Sequence, residues 1–229
     1  MEGSLVKIGL GNRQRVLVGM LFASCMSAFG ADGCFGTGAV SGSLTLGSLL
    51  FANGNDLTAD ASAVCNVGIH VFSNFKITAS SGFQPPIPFS ATFSVVQLGN
   101  LKGLDIAHTN LVGGKDIRIF MTFQPGVSFM LLATGPNESV TEVLCDRATS
   151  ASGQCSGFGV GGTILGQGGV GGSSSTLIPV TPNSINYIFK DVSGGSELTQ
   201  YIVTPEPGTL SLMGLGLLGL GLISRRRKA

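Results

Sequence analysis

Between residues 31 and 204 no stretch of about 11 residues or more repeats its apolar side chains at a helical period. Short β-prone runs recur instead, at 43–51, 69–78, 89–98, 116–123, 128–134, 139–145, 184–192 and 199–203. Within them, Ile117, Ile119 and Met121 alternate with Arg118, Phe120 and Thr122, and Phe89, Thr92, Phe93 and Val95 suit a half-buried sheet. Between the runs stand turn formers: Asn53-Gly54-Asn55, Gln84-Pro85-Pro86, Gly113-Gly114, Pro136-Asn137 and Gly194-Gly195. Charged residues make up only 11% of the chain, so the helix formers Glu and Lys are scarce. The expected fold is all-β: a single antiparallel β-sandwich domain, jelly-roll-like, of about eight strands, with 14 Phe in the chain to fill its interior.

One segment departs from this rhythm. Nine of the 16 residues 157–172 are Gly, and Ser173-Ser174-Ser175 follow. Glycine at that density loses much entropy on ordering, so 157–175 is expected as a flexible loop that sets 184–203 apart as a final hairpin.

The two ends differ from the body. Lys7, Arg13 and Arg15 precede an apolar stretch at 16–22, and small residues follow: Ala23, Ser24, Ser27, Ala28, Gly30 and Ala31. This order is that of a secretory signal helix over 1–30, with cleavage before Ala31. A lipidated Cys25 is the weaker reading, because Phe22 stands where such signals have Leu. At the other end, Pro205-Glu206-Pro207 precedes an apolar run at 210–223 and the cluster Arg225-Arg226-Arg227-Lys228. Those 14 residues would span roughly 21 Å as a helix, short of a hydrocarbon core of ~30 Å. The run can cross a bilayer marginally as a transmembrane helix, with the four cations kept on the cytoplasmic side. The two prolines hold the Glu206 region extended just outside it.

Residues 205–229 resemble the PEP-CTERM sorting signal: the Pro-Glu-Pro motif, the Gly/Leu run and the terminal basic cluster agree with it in order and spacing. The resemblance implies export across the inner membrane of a Gram-negative-type bacterium. It implies recognition of Pro205, Glu206 and Pro207 by a membrane-embedded exosortase, with Arg225, Arg226, Arg227 and Lys228 as the membrane stop. Release or transfer to the surface or matrix would follow, in association with exopolysaccharide. A plain tail anchor that is never cut is the rival reading. The closing Lys190-Asp191 run after a cysteine-bounded loop is similar to other proteins of this kind, a likeness that carries no chemistry.

Once the ends are set aside, the body holds ten acids and six bases. It has no basic stripe for nucleic acid. Cys25 leaves with the signal, and Cys34, Cys65, Cys145 and Cys155 remain in a chain bound for an oxidising compartment. Four cysteines allow three pairings; Cys145–Cys155 and Cys34–Cys65 are favoured. The spacing has no metal-site pattern, so no metal and no cofactor are expected.

Catalytic signals are sparse. His70 lies in an apolar run and is read as structural, and His108 is placed in a loop. Asp105 with Asp116, or Glu138 with Glu142, could supply paired carboxylates, but solvated surface positions are the favoured reading. Asn53-Gly54-Asn55-Asp56 with Asp60 is read as a turn rather than a calcium loop. The expectation is therefore a non-enzymatic surface or matrix protein with a structural or adhesive role. The alternative is a secreted carbohydrate-binding sandwich, disfavoured by the absence of Trp and the presence of only two tyrosines, Tyr187 and Tyr201. A secreted hydrolase ranks below both.

Overall fold

The computed structural model describes residues 31–147, 155, 162–183 and 185–203. The expected signal at 1–30 and the expected sorting tail at 205–229 lie outside the described residues. Every regular element described is a strand: β1 (Gly33–Phe35), β2 (Ala39–Val40), β3 (Ser43–Phe51), β4 (Asp56–Thr58), β5 (Val64–Val67), β6 (His70–Ser81), β7 (Ile87–Leu98) and β8 (Leu101–His108) in the first half. The second half holds β9 (Asp116–Gln124), β10 (Phe129–Thr134), β11 (Glu138–Cys145), β12 (Ile164–Gly171), β13 (Ser175–Pro179), β14 (Asn186–Gly194) and β15 (Glu197–Val203).

These strands form two antiparallel sheets. The first runs β1-β5-β6-β9-β14-β11-β12, with β4 also paired to β6; the second runs β13-β10-β15-β8-β7-β3-β2. One apolar cluster, containing residues of both sheets, fills the space between them. Each strand contributes every second residue: Ile117, Ile119, Met121 and Phe123 from β9, Leu104 and Ile106 from β8, Leu198 and Ile202 from β15. On β6 the inward set changes parity, from Phe72 to Phe75, Ile77 and Ala79. A bulge between Ser73 and Lys76, with Asn74 at φ 56°, makes this possible. Without it, half of β6 would turn its apolar side chains to solvent.

The glycine-rich segment is not the plain loop expected for 157–175, since it contains β12, which pairs with β11 from Ser139↔Gly171 to Cys145↔Ile164. The reason is lateral room. A Cβ at Gly166 would stand 2.6 Å from Pro179 O, and one at Gly168 would stand 2.7 Å from Ile178 Cγ1. Glycine thus lets the edge strand of one sheet lie against β13, the edge of the other, and close the side of the sandwich. Nor are the last two strands a hairpin, because β14 lies inside the first sheet and β15 inside the second. Strands β1, β2, β4, β5, β8 and β13 also fall outside the eight runs read from the sequence.

Both disulfides join strands to their surroundings. Cys34 and Cys65 are direct cross-strand partners on β1 and β5 at the edge of the first sheet. Cys145, at the end of β11, is bridged to Cys155. This second bridge belongs to a small cluster with Val143 and Phe189, on the face of the sheet opposite the main core, with Phe120 and Tyr187 packed against it.

The clearest contact between sheets is Phe75 of β6 on Phe93 of β7, with ring centroids 4.7 Å apart and both side chains fully buried. Phe75→Ala should lower unfolding free energy by about 3–5 kcal/mol, the usual cost of deleting a buried Phe. Urea denaturation measures this; a loss under about 1 kcal/mol would mean that the sheets do not depend on this contact.

Candidate functional site

Alternation on β11 decides where its carboxylates go. Residues 138, 140, 142 and 144 share one face of the strand, and Val140 and Leu144 belong to the core. Glu138 and Glu142 must therefore point inward with them. Their exposures are 1% and 0%, so the expected solvated positions are wrong for both. Asn186, Lys190 and Gln200 are buried completely as well. A row of polar groups thus runs through an otherwise apolar interior, and each member has to be matched there or carry a desolvation cost.

Glu138 is matched in full. Its Oε1 lies 3.1 Å from His108 Nε2, and its Oε2 accepts the Glu197 backbone N–H at 3.0 Å. His108 is the last residue of β8, not a loop residue, and its side chain is entirely buried. Its Nδ1 donates to Thr109 O at 3.1 Å. Gly195 makes the space: a Cβ there would come within 2.4 Å of Glu138 Cβ, and the residue sits at φ 62°.

Lys190 lies at the centre of the row. Glu142 is its direct cross-strand neighbour on β11. Lys190 Nζ donates to Glu142 Oε2 and to Gln200 Oε1, which comes from β15 in the facing sheet. Burial pulls the Lys190 ammonium below its ordinary pKa, and the Glu142 charge offsets part of that. Glu142 Oε1 and Gln200 Nε2 are buried without a hydrogen-bond partner.

The remaining titratable residues are dispersed. His70 is buried, stacks on Phe123 at 5.1 Å and meets Pro125 O through Nδ1 at 2.9 Å; burial lowers its pKa. Asp105 and Asp116 stand on different sheets and do not pair: Asp105 accepts from Thr199 at 2.8 Å, and Asp116 accepts from Ser81 at 2.5 Å. The oxygen-rich turn is satisfied internally, with Asn53 accepting from Phe83 N–H, Asp56 held by Thr78 and Lys76, and Asp60 accepting from Ser62 N–H. Among the described residues no cluster of three His, Cys, Asp or Glu could hold a metal.

Shallow surface clefts occur among the described residues. One of about 370 Å³ has Asp32, Ser94, Gln97 and Lys102 on its walls, and one of about 470 Å³ lies around Leu49, Phe89 and Thr109. Neither is lined by the buried row. In the sequence Lys190 is noted only as part of the Lys190-Asp191 run, without an inward direction, and Gln200 is not singled out. The available signal was a Lys and a Gln in phase with Ile188 and Val192, and with Leu198 and Ile202.

Two outcomes test this geometry. Glu138→Ala strands His108 and the Glu197 N–H in a dry interior and should cost about 3–5 kcal/mol, whereas Glu138→Gln keeps an acceptor and should cost less; urea melts of both variants decide it. Asp105 provides the second. Burial raises its pKa above 3.8, helped by Glu197 and Glu138 and opposed by the Thr199 hydrogen bond. A raised carboxyl pKa adds stability that is complete below the unfolded value and is lost as pH rises through the folded value. Asp105→Asn should therefore gain on the wild type as pH rises across that window, and a pH-independent difference would contradict it.

No curated protein and no solved structure matches the chain. A family model for the PEP-CTERM protein-sorting motif matches residues 203–228, which takes in Pro205, Glu206, Pro207 and the basic cluster. The match begins on the last residue of β15, where the sandwich ends. The chain therefore carries a PEP-CTERM protein-sorting motif at its C-terminal end, which supports export, a membrane-anchored precursor and recognition by an exosortase.

Proposed function

We propose that the sandwich is a non-enzymatic surface or matrix component with a structural or adhesive role alongside exopolysaccharide, set free from its anchor by cleavage at the sorting motif. The observation that carries this is the abutment of the motif on the fold. β15 ends at Val203 and the motif's first proline is Pro205, so a cut at or beyond that point leaves both sheets whole. The body also has the build of a durable extracellular module, with two disulfides and a continuous Phe-rich core. Its titratable core groups are sealed between the sheets rather than presented in a cleft, which favours a structural role over a hydrolytic one. The sugar-binding alternative gains nothing from the tyrosines, since Tyr187 packs beside the Cys145–Cys155 bridge and Tyr201 is half-buried.

Glu206→Ala should leave the tailed precursor in the membrane fraction, whereas the unaltered chain is shortened and released. Fractionation with mass spectrometry of the C-terminus reads the result. Equal release of both forms would remove the sorting step from this account.

A further inference from the structure

Three residues of the buried row are left with more reactivity than packing requires. Lys190 places an amine against the side-chain carbonyl of Gln200, with the carboxylate of Glu142 on the same nitrogen. All three side chains are closed to solvent. The amide nitrogen of Gln200 and the second oxygen of Glu142 have no partner in that dry space. An ion pair in such a place is expensive to keep. Reactive groups fixed in contact, with no water to compete, also react far faster than the same groups free in solution.

We propose that Lys190, Glu142 and Gln200 form a self-modifying triad in which Lys190 Nζ displaces ammonia from Gln200 and leaves an isopeptide cross-link between the two sheets. The lone pair of Nζ attacks Gln200 Cδ, and a new C–N bond forms. Glu142 takes a proton from the attacking nitrogen and delivers it to Nε2. The Cδ–Nε2 bond breaks, and Nε2 leaves as ammonia. Amine plus carboxamide gives a secondary amide plus ammonia, so no oxidant, reductant or external reagent is needed. Burial favours the neutral amine that the attack requires. The carboxamide is the acyl donor because it is uncharged and already receives the Lys190 hydrogen bond, whereas an ionised carboxylate resists nucleophiles. The reaction happens once per chain, as maturation rather than turnover. Its product is a neutral secondary amide that ties β14 to β15 across the core, with the Glu142 carboxylate regenerated once it has passed its proton to the leaving ammonia.

Peptide mass spectrometry of the full-length wild-type protein, reduced and digested with trypsin, tests this. Lys190 is the only basic residue between Arg147 and Arg225, so its modification is plain to read. The expected product is uncut after Lys190 and lighter by one ammonia, with fragment ions linking Lys190 to Gln200. Complete cleavage after Lys190 with unmodified masses would overturn the proposal. Loss of one water, with Lys190 joined to the peptide that carries Glu142, would overturn Gln200 as the acyl donor. Two variants that keep the interior filled, Glu142→Gln and Lys190→Met, should both abolish the ammonia loss while remaining folded by circular dichroism. A cross-link that persists in Glu142→Gln would remove Glu142 from the proton path.

Discussion

Two sheets packed face to face leave a gap of about 10 Å, and everything that points into it must be apolar or find a partner there. This chain meets the requirement mostly with aromatic and aliphatic side chains: Phe72, Phe75, Phe93 and Phe123 are completely buried, and Leu and Ile from both sheets surround them. Against that background, Lys190 cannot be an incidental occupant. An isolated ammonium in such surroundings would be neutralised or would drive the sheets apart. It is tolerated because the β11–β14 register puts Glu142 directly opposite it and the facing sheet supplies Gln200. The register of three strands is thereby bound to one nitrogen atom, since a slip of one residue on any of them would turn its polar group outward.

Glu138 and His108 impose the same condition at another position along β11. Their contact joins the end of β8 to the start of β11, and the Gly194-Gly195 turn between β14 and β15 closes over it, because only a residue without a side chain leaves room for the carboxyl. The polar row therefore fixes how the second half of the chain crosses from one sheet to the other. The first half, from β1 to β7, is held by other means: the Cys34–Cys65 bridge and the ring cluster in which Phe51 stacks on Phe89 and Phe83 packs edge-on.

Strands with strict alternation were legible in the sequence: the run read at 43–51 is β3 to the residue, and those for β9 and β11 differ from the structure by one residue at one end. Illegible elements have physical reasons. β1, β2, β4 and β5 have two to four residues each, too few to show a period. β12 is drawn from residues whose intrinsic preference is against strands, and it forms because the approach of β13 excludes any side chain at Gly166 and Gly168. The polar row was missed for a different reason. Charge alone suggests solvent exposure, but the four-residue spacing of Glu138 and Glu142 is even and places both on the face that carries Val140 and Leu144. On a strand, parity with known core residues outranks polarity as evidence of direction. The sorting motif was legible because its information is linear: a processing enzyme reads it along the chain, with no tertiary partner required.

Chain order links the closing of the sandwich to the sorting motif. β15 lies between β10 and β8 within its sheet, not at an edge, so the second sheet stays open until the last strand arrives. That strand ends at Val203, and the sorting motif follows at once. The same strand carries Gln200, which means that Lys190 has only Glu142 for company until β15 is seated. Closure of the sheet, burial of the charge and assembly of the triad are then one event, and it completes at the end of the chain that the exosortase acts upon.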